Sequence, residues 1–156
     1  MIYYAPLFIT EKPKDELIKI HGGTLFDYYF AIDKNLNGRE RTSYIMYEYL
    51  NGLLAMIEAH KDQPQLRVQG TSYIINERTA KRLGFKIGET NGIQKLILIY
   101  NYFNILLSNS IAKNKLSFPK LNNTKTFEAQ ISDLALHKTN IEKLRDALNR
   151  KYSFDL

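Results

Sequence analysis

The most regular hydrophobic pattern in the chain runs from about Thr42 to His60. Apolar residues recur there every three or four positions, which places them on one face of a helix. They are Met46, Tyr49, Leu50, Leu53, Leu54 and Ile57. Gly52 lies among them, and a glycine costs a helix roughly 1 kcal/mol relative to alanine. A face of this length absorbs that cost, so the pattern predicts a long helix packed against the rest of the protein.

Shorter elements surround this helix. Segments rich in aromatic and β-branched residues predict strands over 2–9, 24–33 and 66–76, with Pro6 placing the first at a sheet edge. Short helices are predicted over 14–20 and 77–83, and a brief strand over 85–87. His21-Gly22-Gly23 fits the end of the first short helix, and Gly84 fits a left-handed cap after the second.

The last third of the chain predicts helices. Residues 93–112 read as a largely buried helix, and 113–123, which contain Pro119, read as a loop. Thr124 or Thr126 is predicted to cap a final helix reaching about Lys151. Its apolar stripe consists of Phe127, Ile131, Leu134, Ile141, Leu144 and Leu148. We expect this helix to pair with 93–112 as a helical hairpin.

These elements predict a single α/β domain over residues 1–156. It consists of a small mixed sheet with the long helix packed on it (1–90) and a helical extension (93–151). The amino-terminal segment reads as a strand rather than a signal peptide. The longest apolar stretch, 93–107, is interrupted by polar residues and is shorter than the roughly 20 residues of a membrane span. We therefore expect a soluble, cytoplasmic protein that does not bind membranes.

Composition excludes some chemistry and leaves a charge asymmetry. The chain contains no cysteine, which excludes disulfides and thiolate catalysis. The three histidines are too far apart in sequence to predict a metal site. Residues 109–156 carry 9 Lys/Arg against 5 Asp/Glu, whereas residues 1–108 carry 13 against 11. The basic carboxy-terminal segment suits an acidic protein or nucleic acid as partner, although a solvated helix face explains it equally well.

The most specific motif lies between residues 66 and 85. An apolar strand leads into Asn76-Glu77-Arg78-Thr79-Ala80-Lys81-Arg82-Leu83-Gly84-Phe85. This segment resembles the late signature of the GNAT-type acetyltransferases, in which a strand delivers an Asn, a short helix carries an Ala, and Gly-Phe closes the unit. The long helix 42–60 looks like that family's central helix, so the resemblance covers about residues 35–87.

The resemblance implies acyl-CoA as cofactor and direct transfer of its acyl group to an amine, or an inactive member that keeps the fold. Asn37, Gly38, Arg39 and Arg41 would hold the pyrophosphate at the start of the long helix. Backbone N–H groups and the helix dipole suit a phosphate there. The family turn usually carries two glycines, and this one carries only Gly38.

Two further residues complete the implied site. Asn76 would hydrogen-bond either the cofactor or the backbone of the short helix. The family's later helix usually presents a tyrosine that protonates the leaving thiolate, and residues 81–83 here contain none. Tyr73, on the preceding strand, is the nearby candidate catalytic acid.

Two alternatives stay open. Ala80 and Gly84 are spaced as in a helix-turn-helix, in which Arg78, Lys81 and Arg82 would contact DNA phosphates. The second alternative is a non-enzymatic interaction module that uses the basic carboxy-terminal helix to bind an acidic protein or nucleic acid.

Overall fold

The computed structural model describes residues 1–72, 76–89, 102–119 and 124–154, which form six strands and six helices. The strands are β1 (Ile2–Ala5), β2 (Phe8–Thr10), β3 (Leu17–Gly22), β4 (Arg67–Ser72), β5 (Lys86–Glu89) and β6 (Lys125–Gln130). The helices are α1 (Leu25–Ala31), α2 (Gly38–Ala59), α3 (Glu77–Arg82), α4 (Tyr102–Lys113), α5 (Ile131–Leu136) and α6 (Lys138–Tyr152). The predicted α/β class, with a mixed sheet and a long packed helix, is confirmed.

All six strands belong to one sheet in the order β1-β2-β3-β4-β6-β5. Strands β3 and β4 are parallel, with Ile18 opposite Val68, and every other neighbouring pair is antiparallel. A parallel pair needs a long crossover connection, and α1 and α2 supply it. The carboxyl ends of β3 and β4 therefore lie side by side at one edge of the sheet.

Helix α2 forms the largest part of the core, which confirms the helix predicted over 42–60. It begins at Gly38, four residues earlier than predicted, because the Asn37 side chain caps it. Its apolar face packs on the sheet, where Leu50, Leu53 and Ile57 join one buried cluster with Phe8 and other residues of β2, β3, β4 and β6.

Helix α2 contacts β2 most closely at Gly52. A Cβ at this position would overlap the ring of Phe8, which is 2% exposed. Glycine therefore replaces a better helix former here because the helix axis lies too near the strand for any side chain.

A smaller core cluster joins the first part of α2 to α1 and α4. Its buried members are Leu7, Tyr28, Ile32, Ile45 and Ala112. Helix α6 packs against the other side of α2, where Ile141 is fully buried. Helix α2 is thus covered by the sheet and by helices.

The strand predicted over 24–33 is wrong, because Leu25–Ala31 form helix α1. Thr24 and Asp27 make a capping box: the Asp27 N–H donates to Thr24 Oγ1, and the Thr24 N–H donates to Asp27 Oδ2. This reciprocal cap stabilises the start of α1, and its stabilisation outweighs the preference of the following aromatic residues for a strand. The spacing Thr-x-x-Asp was the available sequence signal.

The short helix predicted over 14–20 is also wrong. Asp15 and Glu16 both have positive φ and form a two-residue turn, closed by hydrogen bonds between Lys14 and Leu17. Strand β3 follows directly. Such turns usually contain Asn or Gly, so Asp15-Glu16 gave a weak signal. His21-Gly22-Gly23 consequently ends a strand and not a helix.

The continuous helix predicted from Thr124 is wrong over its first part. Residues 125–130 form β6, which pairs with both β4 and β5, so the sheet extends beyond the first ninety residues. Helices α5 and α6 then follow. Phe127, assigned to the helical stripe, faces the core from the strand. Helix α6 packs against α2, and α4 packs against α1 and α2.

The segment from 66 to 89 follows the prediction closely. Strand β4, helix α3 and strand β5 occupy the expected positions, and Gly84 has the left-handed conformation expected after α3 (φ 94°). Because β5 follows where a recognition helix would stand, the helix-turn-helix interpretation is wrong. The predicted helix lies outside the described residues over 93–101, and 102–113 are helical as predicted. None of the described helices is long and apolar enough to span a bilayer.

The contact at Gly52 yields a stability prediction. We expect Gly52→Ala to lower the free energy of unfolding by about 1–2 kcal/mol, because overlap with the buried Phe8 ring outweighs the gain in helix propensity. Gly88→Ala is the control, since among the described residues the nearest atom to its Cβ would be the Thr126 carbonyl oxygen at 4.0 Å. Urea denaturation measures both variants. A stabilised Gly52→Ala protein would contradict the close packing.

Candidate functional site

A cleft of about 530 Å³ lies at the carboxyl ends of the parallel strands β3 and β4. The cleft is lined by the turn from His21 to Thr24, by Tyr49 of α2, by Thr71 of β4 and by residues of α4. In open α/β sheets, ligands bind preferentially outside the carboxyl ends of the strands. The volume also falls within the range of small-molecule pockets.

The walls of the cleft are neutral and rich in hydrogen-bonding groups. Within the described part of the chain they contain no lysine, arginine or carboxylate. Hydroxyl and amide side chains supply donors and acceptors: Thr24, Tyr28, Tyr49, Thr71, Asn104, Ser108 and Thr124. Such walls suit an uncharged polar ligand better than an anion, whose desolvation would find no compensating cation.

His21 is the one described imidazole in the cleft wall. Its Nε2 lies 2.9 Å from Glu11 Oε1, so the carboxylate holds the ring and accepts a hydrogen bond from this nitrogen. In the neutral ring the proton then resides on Nε2, which leaves Nδ1 as an acceptor. A histidine held in this way by a carboxylate can receive a proton from a ligand.

Two tyrosines meet at the floor of the cleft beside the backbone of Gly22. Their hydroxyl groups, from Tyr28 of α1 and Tyr49 of α2, are hydrogen-bonded to each other. Burial raises the pKa of Tyr28 well above its usual value, and the neighbouring Tyr49 adds to the shift. Tyr28 therefore keeps its proton at neutral pH, and the pair is a fixed source of hydrogen-bond donors.

The predicted pyrophosphate turn lies elsewhere, at the start of α2, and its groups are occupied. Asn37 Oδ1 accepts hydrogen bonds from the N–H groups of Arg39 and Glu40, and the Glu40 carboxylate accepts one from the Asn37 N–H. The Lys113 carbonyl lies so close that a Cβ on Gly38 would overlap it. With a carboxylate and a carbonyl oxygen already at this helix start, the residues do not fit a pyrophosphate.

Arg41 holds neighbouring segments of the backbone together. Its side chain donates to three backbone carbonyl oxygens, those of Lys34 (2.8 Å), Leu36 (2.8 Å) and Ile111 (3.0 Å). The residue is only 8% exposed. Arg41 therefore ties α2 to the preceding loop and to α4, whereas Arg39 is exposed to solvent.

The remaining predicted residues lie apart from this turn. Asn76 caps α3, its Oδ1 accepting from the Thr79 N–H at 2.8 Å, which is the backbone alternative of its two predicted roles. Tyr73 lies outside the described residues. Sequence reasoning missed His21, Tyr28 and Tyr49 as cleft residues. The signal for the cleft was the Gly22-Gly23 pair, which follows a strand once β3 is correctly assigned.

Comparisons with known proteins yield no match to a family model, a curated protein or a solved structure. The described residues also contain no group of three or more histidine, aspartate or glutamate side chains placed to hold a metal ion. The function of the cleft is therefore inferred from its own geometry.

The geometry of Arg41 predicts a structural phenotype. Arg41→Lys keeps the charge but cannot reproduce a planar group bonded to three carbonyls, so we expect the free energy of unfolding to fall by about 2–4 kcal/mol. The matched control is Arg39→Ala, an exposed site where the change should stay within about 0.5 kcal/mol. Thermal or urea unfolding compares them. Equal effects of the two substitutions would count against the structural role.

Proposed function

We propose that the protein is an acyltransferase-like domain that binds an uncharged acyl-bearing ligand in the cleft at the ends of β3 and β4. One observation carries the proposal. The parallel pair β3–β4, joined through the long helix α2, is followed by an Asn76-capped α3 that closes with Leu83-Gly84-Phe85. The order of α2, β4 and α3 is the one that the resemblance of residues 35–87 implies, and the cleft lies at the carboxyl ends of the parallel pair, where open α/β sheets usually bind ligands.

The proposed ligand is the acyl-thioester end of a donor, without its phosphates. The cleft walls are neutral over the described residues, and the start of α2 does not fit a pyrophosphate. We therefore expect an acyl group on a pantetheine-like arm to supply nearly all the affinity. Whether the domain catalyses transfer or only binds is decided by an activity assay with small amines as acceptors.

The chain offers a proton acceptor for that reaction. Transfer would form an amide C–N bond and break the thioester C–S bond, so the amine must lose a proton and the leaving thiolate must gain one. His21, held by Glu11, lines the cleft and would take the proton from the amine and return it to the sulfur. The hydroxyl of Tyr49, hydrogen-bonded to that of Tyr28, also lines the cleft and would donate a hydrogen bond to the ligand. His21 and Tyr49 replace the untested Tyr73 as the residues that we propose act on the ligand.

An interaction module that uses the basic carboxy-terminal helix is the second candidate function. Helix α6 buries Ile141 against α2, and two of its cations are paired, Lys138 with Glu58 and Arg145 with Asp146. The exposed Lys143, together with Arg150 and Lys151 in the last turn, forms no ion pair with another described residue and stays available for an acidic partner. The two ion pairs reduce the positive charge that α6 can offer to an acidic partner, and for this reason we prefer the function proposed for the cleft.

The proposal predicts which part of a thioester the protein recognises. Acetyl-pantetheine and acetyl-CoA should bind with affinities within about threefold of each other, because the phosphates find no cationic site. Ser108→Phe, which fills the cleft from α4, should weaken both by at least about tenfold, since the ring would occupy the ligand's space. Isothermal titration calorimetry on the full chain measures all four affinities.

Arg39→Ala is the control variant and should leave both affinities unchanged. Acetyl-CoA binding that is much tighter than acetyl-pantetheine binding and is lost in Arg39→Ala would restore the phosphate site at α2. If neither thioester binds at millimolar concentration, the acyltransferase-like function is excluded and the interaction module is preferred.

A further inference from the structure

A second, apolar cavity of about 50 Å³ lies between α2 and the sheet, next to the cleft. Its walls are mainly hydrocarbon and aromatic, including Phe8, Ile20, Leu50, Leu53, Leu83 and Phe127. The cavity and the cleft share Gly22, Tyr49 and Thr71 in their walls. These three residues thus form the boundary between the polar cleft and the apolar cavity.

Gly70 helps to keep this cavity open. It lies in the interior of β4, paired to β3 on one side and β6 on the other, where a glycine weakens a strand. Its φ is not positive, and among the described residues the nearest neighbour of an added Cβ would be Ile20 Cβ at 3.4 Å. Neither conformation nor crowding requires glycine at this position, so its effect is the space that it leaves.

The size and chemistry of the cavity define what it can hold. A site for one water molecule needs roughly 10–15 Å³, so the cavity has room for about four groups of that size. Apolar walls offer water too few hydrogen bonds to hold it. A short hydrocarbon chain matches both the volume and the walls, whereas a long chain or an aromatic ring exceeds the volume.

We propose that this cavity is the subsite for a short acyl or alkyl chain of two to four carbons. The polar end of the same ligand occupies the cleft, with Tyr49 at the junction. This inference rests on the proposed function of the cleft as the ligand site, and it adds a chain-length preference that the cleft alone does not give.

A series of acyl-pantetheines from acetyl to octanoyl tests the subsite in the wild-type protein by calorimetry. Affinity should rise about fourfold for each methylene up to butanoyl and then level or fall. Gly70→Ala places a methyl group in the cavity, so the optimal chain of this variant should be about one carbon shorter than that of the wild type. Gly88→Ala, on the edge strand β5, should leave the whole series unchanged.

Methyl NMR with n-butanol as a separate probe distinguishes the two proposals. Shifts of the Leu50 and Leu53 methyl groups, without any acyl-pantetheine binding, would support the subsite and overturn the function proposed for the cleft. Acetyl-pantetheine binding without a gain from longer chains, or a series unaffected by Gly70→Ala, would overturn the subsite alone. No response to either probe would overturn both.

Discussion

Helix α2 approaches β2 so closely at Gly52 that the ring of Phe8 occupies the place of a side chain. This contact fixes the distance between the long helix and the sheet. At the same side of α2, Tyr49 reaches the backbone of Gly22 and separates the apolar cavity from the cleft. The dimensions of the cavity and of its boundary with the cleft thus depend on the distance that the Phe8 ring sets between α2 and the sheet. A larger residue at position 52 would displace the walls of both.

Helix α1 separates the proposed ligand site at the end of β3 from the start of α2. It lies between β3 and α2, so the turn at the end of β3 is not the turn that begins α2. Tyr49 follows Gly38 by eleven residues, or about 16 Å along a helix. The cleft and the start of α2 are therefore distant regions, and Arg41 and the Asn37 cap stabilise the second of them. The proposed ligand site follows the parallel strands, whose carboxyl ends stay beside Gly22 and Thr71.

Local patterns predicted the elements whose own residues determine them. The apolar face of α2, the β4–α3–β5 unit and the left-handed Gly84 were all evident from spacing and glycine placement. Of the misassigned elements, two depend on longer-range partners and one depends on a local cap. Strand β3 needs parallel pairing with β4, β6 needs β4 and β5 on its two sides, and α1 starts at a Thr24–Asp27 cap beneath aromatic residues typical of strands.

The candidate site was predictable only in part for the same reason. Arg41 looked like a phosphate ligand because its sequence neighbourhood contains a helix start and a glycine. Its three carbonyl partners include Ile111, seventy residues away, which no local pattern indicates. Glu11 follows β2 whereas His21 lies in β3, and Tyr28 and Tyr49 belong to different helices. Their contacts exist only after the sheet and its crossover have formed.

The most direct test of the ligand site is an amide NMR titration with acetyl-pantetheine, which locates binding residue by residue. If the cleft is the site, the largest changes in amide chemical shift will occur at Gly22, Gly23 and Thr71. The amide resonances of Gly38, Arg39 and Arg41 will not change. The largest shifts at Gly38 to Arg41, with Gly22 and Thr71 unaffected, would contradict this account and return the site to the start of α2.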